Sequence, residues 1–146
     1  MDLLLLYNHQ NKITINLLDG INILVAEDNL LNQKIVNFIL QRQNASVTNA
    51  INGTEAIDKL QQKEFDIVLM DLQMPQMNGY ETARYIRANI SKQLPIVAVT
   101  ASISDTERND SLNCGMNAYI SKPFEPDDLC SLISDLVKER KIYVTE

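Results

Sequence analysis

Four short apolar runs in the chain each end on a residue type that phosphoryl chemistry requires. Ile23-Leu24-Val25-Ala26 ends on Glu27-Asp28, Asp66-Ile67-Val68-Leu69-Met70 on Asp71, Ile96-Val97-Ala98-Val99 on Thr100, and Ala118-Tyr119-Ile120-Ser121 on Lys122. A further run, Ala45-Ser46-Val47-Thr48-Asn49-Ala50, carries no such residue. Carboxylates gathered at one point repel unless a cation compensates. Hard oxygen ligands with room left for water suit Mg2+, which is commonly held by one or two carboxylates plus a phosphate oxygen. Glu27, Asp28 and Asp71 are the candidate ligands, and Lys122 is a counter-charge from the other side. With metal and ammonium neutralising the transferring oxygens, a carboxylate attacks phosphorus and forms an aspartyl phosphate. Thr100 offers a hydroxyl donor to one of those oxygens. In Asp71-Leu72-Gln73-Met74-Pro75-Gln76-Met77-Asn78-Gly79, Pro75 fixes a turn beyond the nucleophile and Gly79 permits close re-entry into a helix, leaving the Gln73 carbonyl well placed for the metal. Singly, each residue has an ordinary explanation as a helix cap, a strand-end backbone bond or a solvated lysine. Jointly they describe a phosphate and Mg2+ site.

Such a site needs strands whose carboxyl ends meet, and the chain between the apolar runs has helical period. That alternation predicts a parallel sheet covered on both faces, with ligands bound beyond the carboxyl ends of the strands. Leu31, Ile35, Phe38 and Ile39 form one expected buried stripe, Ala56, Ile57 and Leu60 a second, Ala83, Ile86 and Ile90 a third, and Leu129, Leu132, Ile133 and Leu136 the clearest. Asp28 or Asn29 can cap the first helix, Ser104 and Glu107 have capping-box spacing, and Pro126-Asp127-Asp128 suits a first turn. Gly115 marks a left-handed helix end. The fourth helix, about residues 105–114, has only Leu112 to anchor its middle, so it is expected to open readily. Lys12-Ile13-Thr14-Ile15-Asn16-Leu17 and Lys141-Ile142-Tyr143-Val144-Thr145 alternate with period two but lie outside the core, and are read as linker. The expected organisation is an extension over residues 1–20, one domain over residues 21–141 and a tail over residues 142–146.

The chain has 146 residues, a hydrophobic content of 45% and a net charge of -6, which fits one domain with a real core and argues against binding nucleic acid. Leu3-Leu4-Leu5-Leu6 is too short to span a bilayer and follows no basic residue, so no membrane contact and a cytoplasmic location are expected. Cys114 and Cys130 lack metal-ligand spacing and read as reduced, partly buried thiols.

Val25-Ala26-Glu27-Asp28-Asn29, Leu69-Met70-Asp71-Leu72-Gln73-Met74-Pro75, Val99-Thr100-Ala101 and Lys122-Pro123-Phe124 together resemble the receiver domains of two-component response regulators, over about residues 22–140. The resemblance implies a flavodoxin-like doubly wound (βα)5 fold with a five-stranded parallel sheet in the order 2-1-3-4-5. It implies Asp71 as phosphoacceptor, Mg2+ held by Glu27, Asp28, Asp71 and the Gln73 carbonyl, phosphoryl contacts from Thr100 and Lys122, and a cis Lys122-Pro123 peptide. Tyr119 falls at the family's switch aromatic, paired with Thr100, and the face of the fourth helix, fifth strand and fifth helix would carry the signal. Glu27-Asp28-Asn29, Asn32 and Gly115-Met116-Asn117-Ala118-Tyr119 resemble receivers at the C-terminal end of hybrid sensor histidine kinases, and Asp19-Gly20-Ile21 resembles the linker that precedes them.

The phosphodonor would then be a histidine kinase or a histidine phosphotransfer protein. The chain has no Gly-rich nucleotide loop, and its single histidine, His9, has no dimerisation stripe around it. A competing reading is an Mg2+-dependent phosphohydrolase acting through an aspartyl phosphate. Such enzymes usually carry an acid-base Asp two residues after the nucleophile, where Gln73 stands, and an amide cannot transfer the proton. An inert interaction module would tolerate loss of Asp71 or Lys122, and both are present. The receiver of a truncated DNA-binding regulator is a further alternative.

Overall fold

The computed structural model describes residues 16–101 and 104–145. The leucines at 3–6, His9, residues 12–15 of the first alternating run and residue 146 of the expected tail lie outside them. The strands are β1 (Asn22–Ala26), β2 (Ser46–Ala50), β3 (Ile67–Asp71), β4 (Ile96–Thr100) and β5 (Ala118–Ser121). The helices are α1 (Leu30–Gln41), α2 (Gly53–Gln62), α3 (Gly79–Asn89), α4 (Asp105–Asn113) and α5 (Pro126–Thr145). All strand pairs are parallel, in the order β2-β1-β3-β4-β5. The three central strands are covered on both faces, which is why they read as continuous apolar runs rather than alternating ones.

Register aligns the carboxyl ends. Ala26 is level with Met70, and Met70 with Ala98, so the next residues, Glu27 and Asp71, leave the sheet side by side. One face of the sheet packs Leu24, Val68 and Ile96 against Ala56, Ala83 and Ile86 from α2 and α3. The other packs Ile23, Leu69 and Val97 against Val36 and Leu40 of α1 and Leu129 and Ile133 of α5. The expected stripes on α2, α3 and α5 face the core, with Leu60, Ile90, Leu132 and Leu136 partly buried at their margins.

Helix α1 differs from its expected orientation. Leu31, Ile35 and Phe38 point outward, and the buried positions are Gln33, Val36 and Leu40. Apolar residues occur nearly all round this helix, so its periodicity holds two competing stripes. The sheet selected the one with Val36 and Leu40. Leu112 of α4 is also half exposed, and the only buried residue within that helix is Ser111, whose hydroxyl donates to the Glu107 carbonyl at 2.8 Å. The helix therefore has less apolar anchoring than its sequence promised.

The chain termini depart from the expected boundaries as well. Leu18 is fully buried against β1 and α1, so packing begins before residue 21. The backbone of the second alternating run continues α5 as helix to Thr145 instead of leaving it as a tail. Asn29 caps α1 by accepting from the Asn32 N–H at 2.9 Å, and Ser104 caps α4 by accepting from the Glu107 N–H at 3.1 Å. A reciprocal capping box, absent from the sequence reading, joins Asn78 and Glu81 at the start of α3. Gly115 adopts φ +100° as its position required, and a Cβ there would lie 2.7 Å from Cγ of Arg87. The Arg87 guanidinium clasps that turn, donating to the Gly115 carbonyl and the Asn117 side chain, both at 2.9 Å.

Candidate functional site

Three carboxylates stand at the β1 and β3 ends. Oxygens of Glu27, Asp28 and Asp71 lie within 4.8 Å of one another, with Glu27 buried, Asp71 half-buried and Asp28 exposed. The gradient of exposure leaves one side of the cluster open. Lys122 Nζ donates to Glu27 Oε1 at 2.7 Å and lies 3.9 Å from Asp71 Oδ2. The peptide joining it to Pro123 is cis, and its own N–H donates to the Thr100 carbonyl at 2.7 Å, tying the β4 and β5 ends together.

The other Glu27 oxygen, Oε2, is buried and has no hydrogen-bond partner among the described residues. A buried carboxylate oxygen without a donor is costly. A divalent cation seated between Glu27, Asp28 and Asp71 would satisfy it, and an all-oxygen set with an open side fits Mg2+. Burial, followed by the neighbouring Glu27 carboxylate, pushes the Asp71 carboxyl up to about 7, against the opposing pull of the Gln73 N–H and Lys122. Burial also acts to raise Glu27, but the Asp71 carboxyl and the Lys122 ammonium beside it outweigh that and hold the group near 2. The two carboxyls are thus pushed in opposite directions, Asp71 upward and Glu27 downward, as two like charges in one site require.

The segment after β3 is held close. Gln73 N–H donates to Asp71 Oδ1 at 3.0 Å, which keeps the Gln73 backbone beside the cluster. A Cβ on Gly79 would sit 2.5 Å from the Asp71 carbonyl, so only glycine lets α3 start here. Gly53 plays the same part on the neighbouring loop, where a Cβ would lie 2.6 Å from the Met77 carbonyl.

Thr100 is buried at the β4 end and Tyr119 half-buried on β5. Ala98 is level with Tyr119, and strand residues two apart share a face, so Thr100 and Tyr119 lie on the same side of the sheet. The Arg108 guanidinium of α4 stacks over the Tyr119 ring at 4.7 Å. Sequence reasoning missed Gln33, a buried amide that donates to the Glu27 carbonyl at 2.6 Å and to the Ala50 carbonyl at 3.5 Å. It fixes the strand exit from which Glu27 projects. The signal was a polar residue on what proved to be the inward face of α1. Both cysteines are free and buried, away from these groups.

A doubly wound parallel sheet with clustered carboxylates and one ammonium at its carboxyl edge defines an open α/β domain whose crevice lies at that edge. The family model for the response regulator receiver domain matches residues 23–134, and the chain belongs to that family. It is 35% identical over 141 residues to Histidine kinase 3 of Arabidopsis thaliana, covering 82% of this chain and 14% of that protein. It is 36% identical over 110 residues to the autoinducer 2 sensor kinase/phosphatase LuxQ of Vibrio vulnificus, covering 75% of this chain and 13% of LuxQ. The chain therefore spans only a small part of the length of the kinases it matches. Among solved structures, the receiver domain of sensor histidine kinase PA1611 from Pseudomonas aeruginosa superposes with a TM-score of 0.77 at 32% identity, covering 82% of this chain and 98% of that one. That structure has a magnesium ion coordinated in its active site cleft. No helix among the described residues is long and apolar enough to cross a membrane.

Proposed function

We propose that this receiver domain accepts a phosphoryl group on Asp71 from a phosphohistidine, with Mg2+ bound by Glu27, Asp28, Asp71 and the Gln73 carbonyl. The observation that carries the reading is the convergence of three carboxylates within 4.8 Å, one of them holding an unpartnered buried oxygen, beside the Lys122 ammonium. An Asp71 oxygen forms the new bond to phosphorus as the donor's P–N bond breaks, and the leaving imidazole nitrogen keeps the electron pair. Lys122 and Thr100 contact the phosphoryl oxygens. The donor is a histidine kinase or a histidine phosphotransfer protein, the domain acts in the cytoplasm, and its parent is a hybrid histidine kinase.

Output follows from Thr100 and Tyr119. When Thr100 turns toward the phosphoryl group, Tyr119 moves on the same face, and the thinly anchored α4 shifts with it. The α4-β5-α5 face is then the surface read by partners. The expected result is Mg2+-dependent uptake of acid-labile phosphate from acetyl phosphate. Amide exchange should also change in residues 104–112 and around Tyr119 when beryllofluoride occupies the site. Uptake that persists in EDTA would refute the metal reading, and unchanged exchange at full occupancy would refute the switch.

Metal binding should be pH-dependent in a defined direction. A proton held on Asp71 up to about pH 7 must leave before the cation binds. Mg2+ affinity measured by titration calorimetry is expected to fall about tenfold per pH unit below that value and to level off above pH 8. Equal affinity at pH 6 and pH 8 would show that the carboxylates hold no such proton.

A further inference from the structure

Asp28 is the exposed member of the carboxylate cluster, and its carboxylate accepts no hydrogen bond among the described residues. Its aim therefore rests on the backbone. That backbone is gripped from the inner side, because the Glu27 carbonyl belongs to the planar peptide joining Glu27 to Asp28, and Gln33 Nε2 donates to it at 2.6 Å. The same nitrogen makes a longer contact, 3.5 Å, with the Ala50 carbonyl. At the other end of the residue, the Glu27 N–H donates to the Ala50 carbonyl at 3.0 Å. Both backbone polar groups of Glu27 are thus engaged, one by α1 and one by the end of β2, and the peptide between the two candidate ligands has little freedom.

The donor is itself held. Gln33 is 7% exposed and lies on the inward stripe of α1 with Val36 and Leu40, three and seven residues on. Packing of Val36 and Leu40 against the sheet carries the amide onto the strand exits. The Gln33 N–H donates to the Asn29 carbonyl at 3.0 Å, which closes the first turn of the helix directly after Asp28. An aliphatic side chain in this stripe would add apolar burial with no polar group to desolvate, so packing alone gives no reason for an amide. Its neutrality suits the place. An amide offers two N–H donors and no charge, leaving the charge balance of the cluster to the cation and Lys122.

We infer that Gln33 is a positioning residue for the metal site. By holding the Glu27–Asp28 peptide it sets the angle at which those two carboxylates converge with Asp71. The inference rests on the Mg2+ reading above and extends it to a residue that touches neither metal nor phosphoryl group. Loss of a partner that orients metal ligands commonly costs about 10–100-fold in affinity.

The test compares three variants. Gln33→Met keeps the length of the side chain and removes both donors, whereas Gln33→Asn keeps the amide and draws it back by one methylene. Leu40→Val loosens the same stripe at the far end of α1 without touching the Glu27 peptide. In the metal-free domain, the NMR order parameter of the Asp28 amide, whose N–H belongs to the gripped peptide, is expected to fall from about 0.85 to below about 0.6 in both Gln33 variants. It should hold in Leu40→Val. Mg2+ affinity by titration calorimetry is expected to weaken about tenfold in both Gln33 variants and to stay unchanged in Leu40→Val. If one Gln33 variant fails to fold, the other decides. Unchanged Mg2+ affinity in the Gln33 variants would overturn the inference, and so would an equal loss in Leu40→Val, which would reduce Gln33 to packing. Failure of the unmodified chain to bind Mg2+ would remove the metal reading itself, while a rigid Asp28 amide in both Gln33 variants would refute the grip without bearing on that reading.

Discussion

Asp71→Asn is expected to abolish phosphoryl uptake from acetyl phosphate while making the metal-free domain more stable above neutral pH. The amide oxygen is too weak a nucleophile to form a stable acyl phosphate, so incorporation should fall to background. The stability effect follows from the sign of the Asp71 shift. Below the ordinary value of 3.8 both folded and unfolded states hold the proton, and the group contributes nothing to pH dependence. Between 3.8 and about 7 the unfolded chain has released a proton that the fold retains, so stability declines as pH rises. Above that range the ionised Asp71 stands against Glu27 at full cost. A neutral asparagine removes the repulsion, and because Glu27 shifts in the opposite direction part of the effect cancels. A gain of about 1–3 kcal/mol at pH 8 is expected, shrinking to nothing near pH 4. Thermal unfolding of both proteins in EDTA across that range checks it. A variant less stable at pH 8 would show that Asp71 is a structural hydrogen-bond acceptor rather than a strained charge.

Lys122→Ala should cost both chemistry and stability. Read from sequence, this lysine is a solvent-edge ammonium with little to contribute to folding. The structure places it 2.7 Å from Glu27, with the two side chains only 23% and 5% exposed. Removing it leaves a buried carboxylate beside two others with no counter-charge. Breaking a fully buried pair costs about 3–5 kcal/mol, and the partial exposure of Lys122 reduces the expected loss to about 1–3 kcal/mol. Saturating Mg2+ should recover much of that loss, since the cation supplies the missing positive charge. Uptake from acetyl phosphate should slow by about a hundredfold, as for loss of one preorganised donor to a developing oxyanion. Melting temperatures with and without Mg2+, beside initial rates of uptake, decide the matter. An unchanged melting temperature in EDTA would show that the Glu27 pair contributes nothing to the fold.

The apolar runs at 23–26, 67–70 and 96–99 were legible because central parallel strands are buried on both faces and tolerate no polar interruption. Glu27, Asp28, Asp71, Thr100 and Lys122 were legible for a related reason. A polar residue directly after such a run has nowhere to go but the sheet edge, and the alternating order of elements puts these edges on one side. Gly79 and Gly115 were likewise marked by backbone demands that a side chain would violate.

Other features needed the assembled fold. Periodicity on α1 could not choose between the Leu31-Ile35-Phe38 and the Val36-Leu40 stripe, because a helix apolar on both sides is oriented by the surface it meets. Gln33 acquired its role only when that choice turned it inward onto the Glu27 and Ala50 carbonyls. Local pattern alone also misread the alternating run after residue 140, which continues a helix whose preceding turns are already packed on the sheet. What the sequence determined by itself was the order of elements and the chemical types at the strand ends, since both depend on neighbours along the chain. What only the tertiary structure decided was helix orientation, the Lys122–Glu27 pairing and the upward shift of the Asp71 carboxyl. Those depend on distances between residues as many as 95 positions apart, and burial and Coulomb interaction act through space.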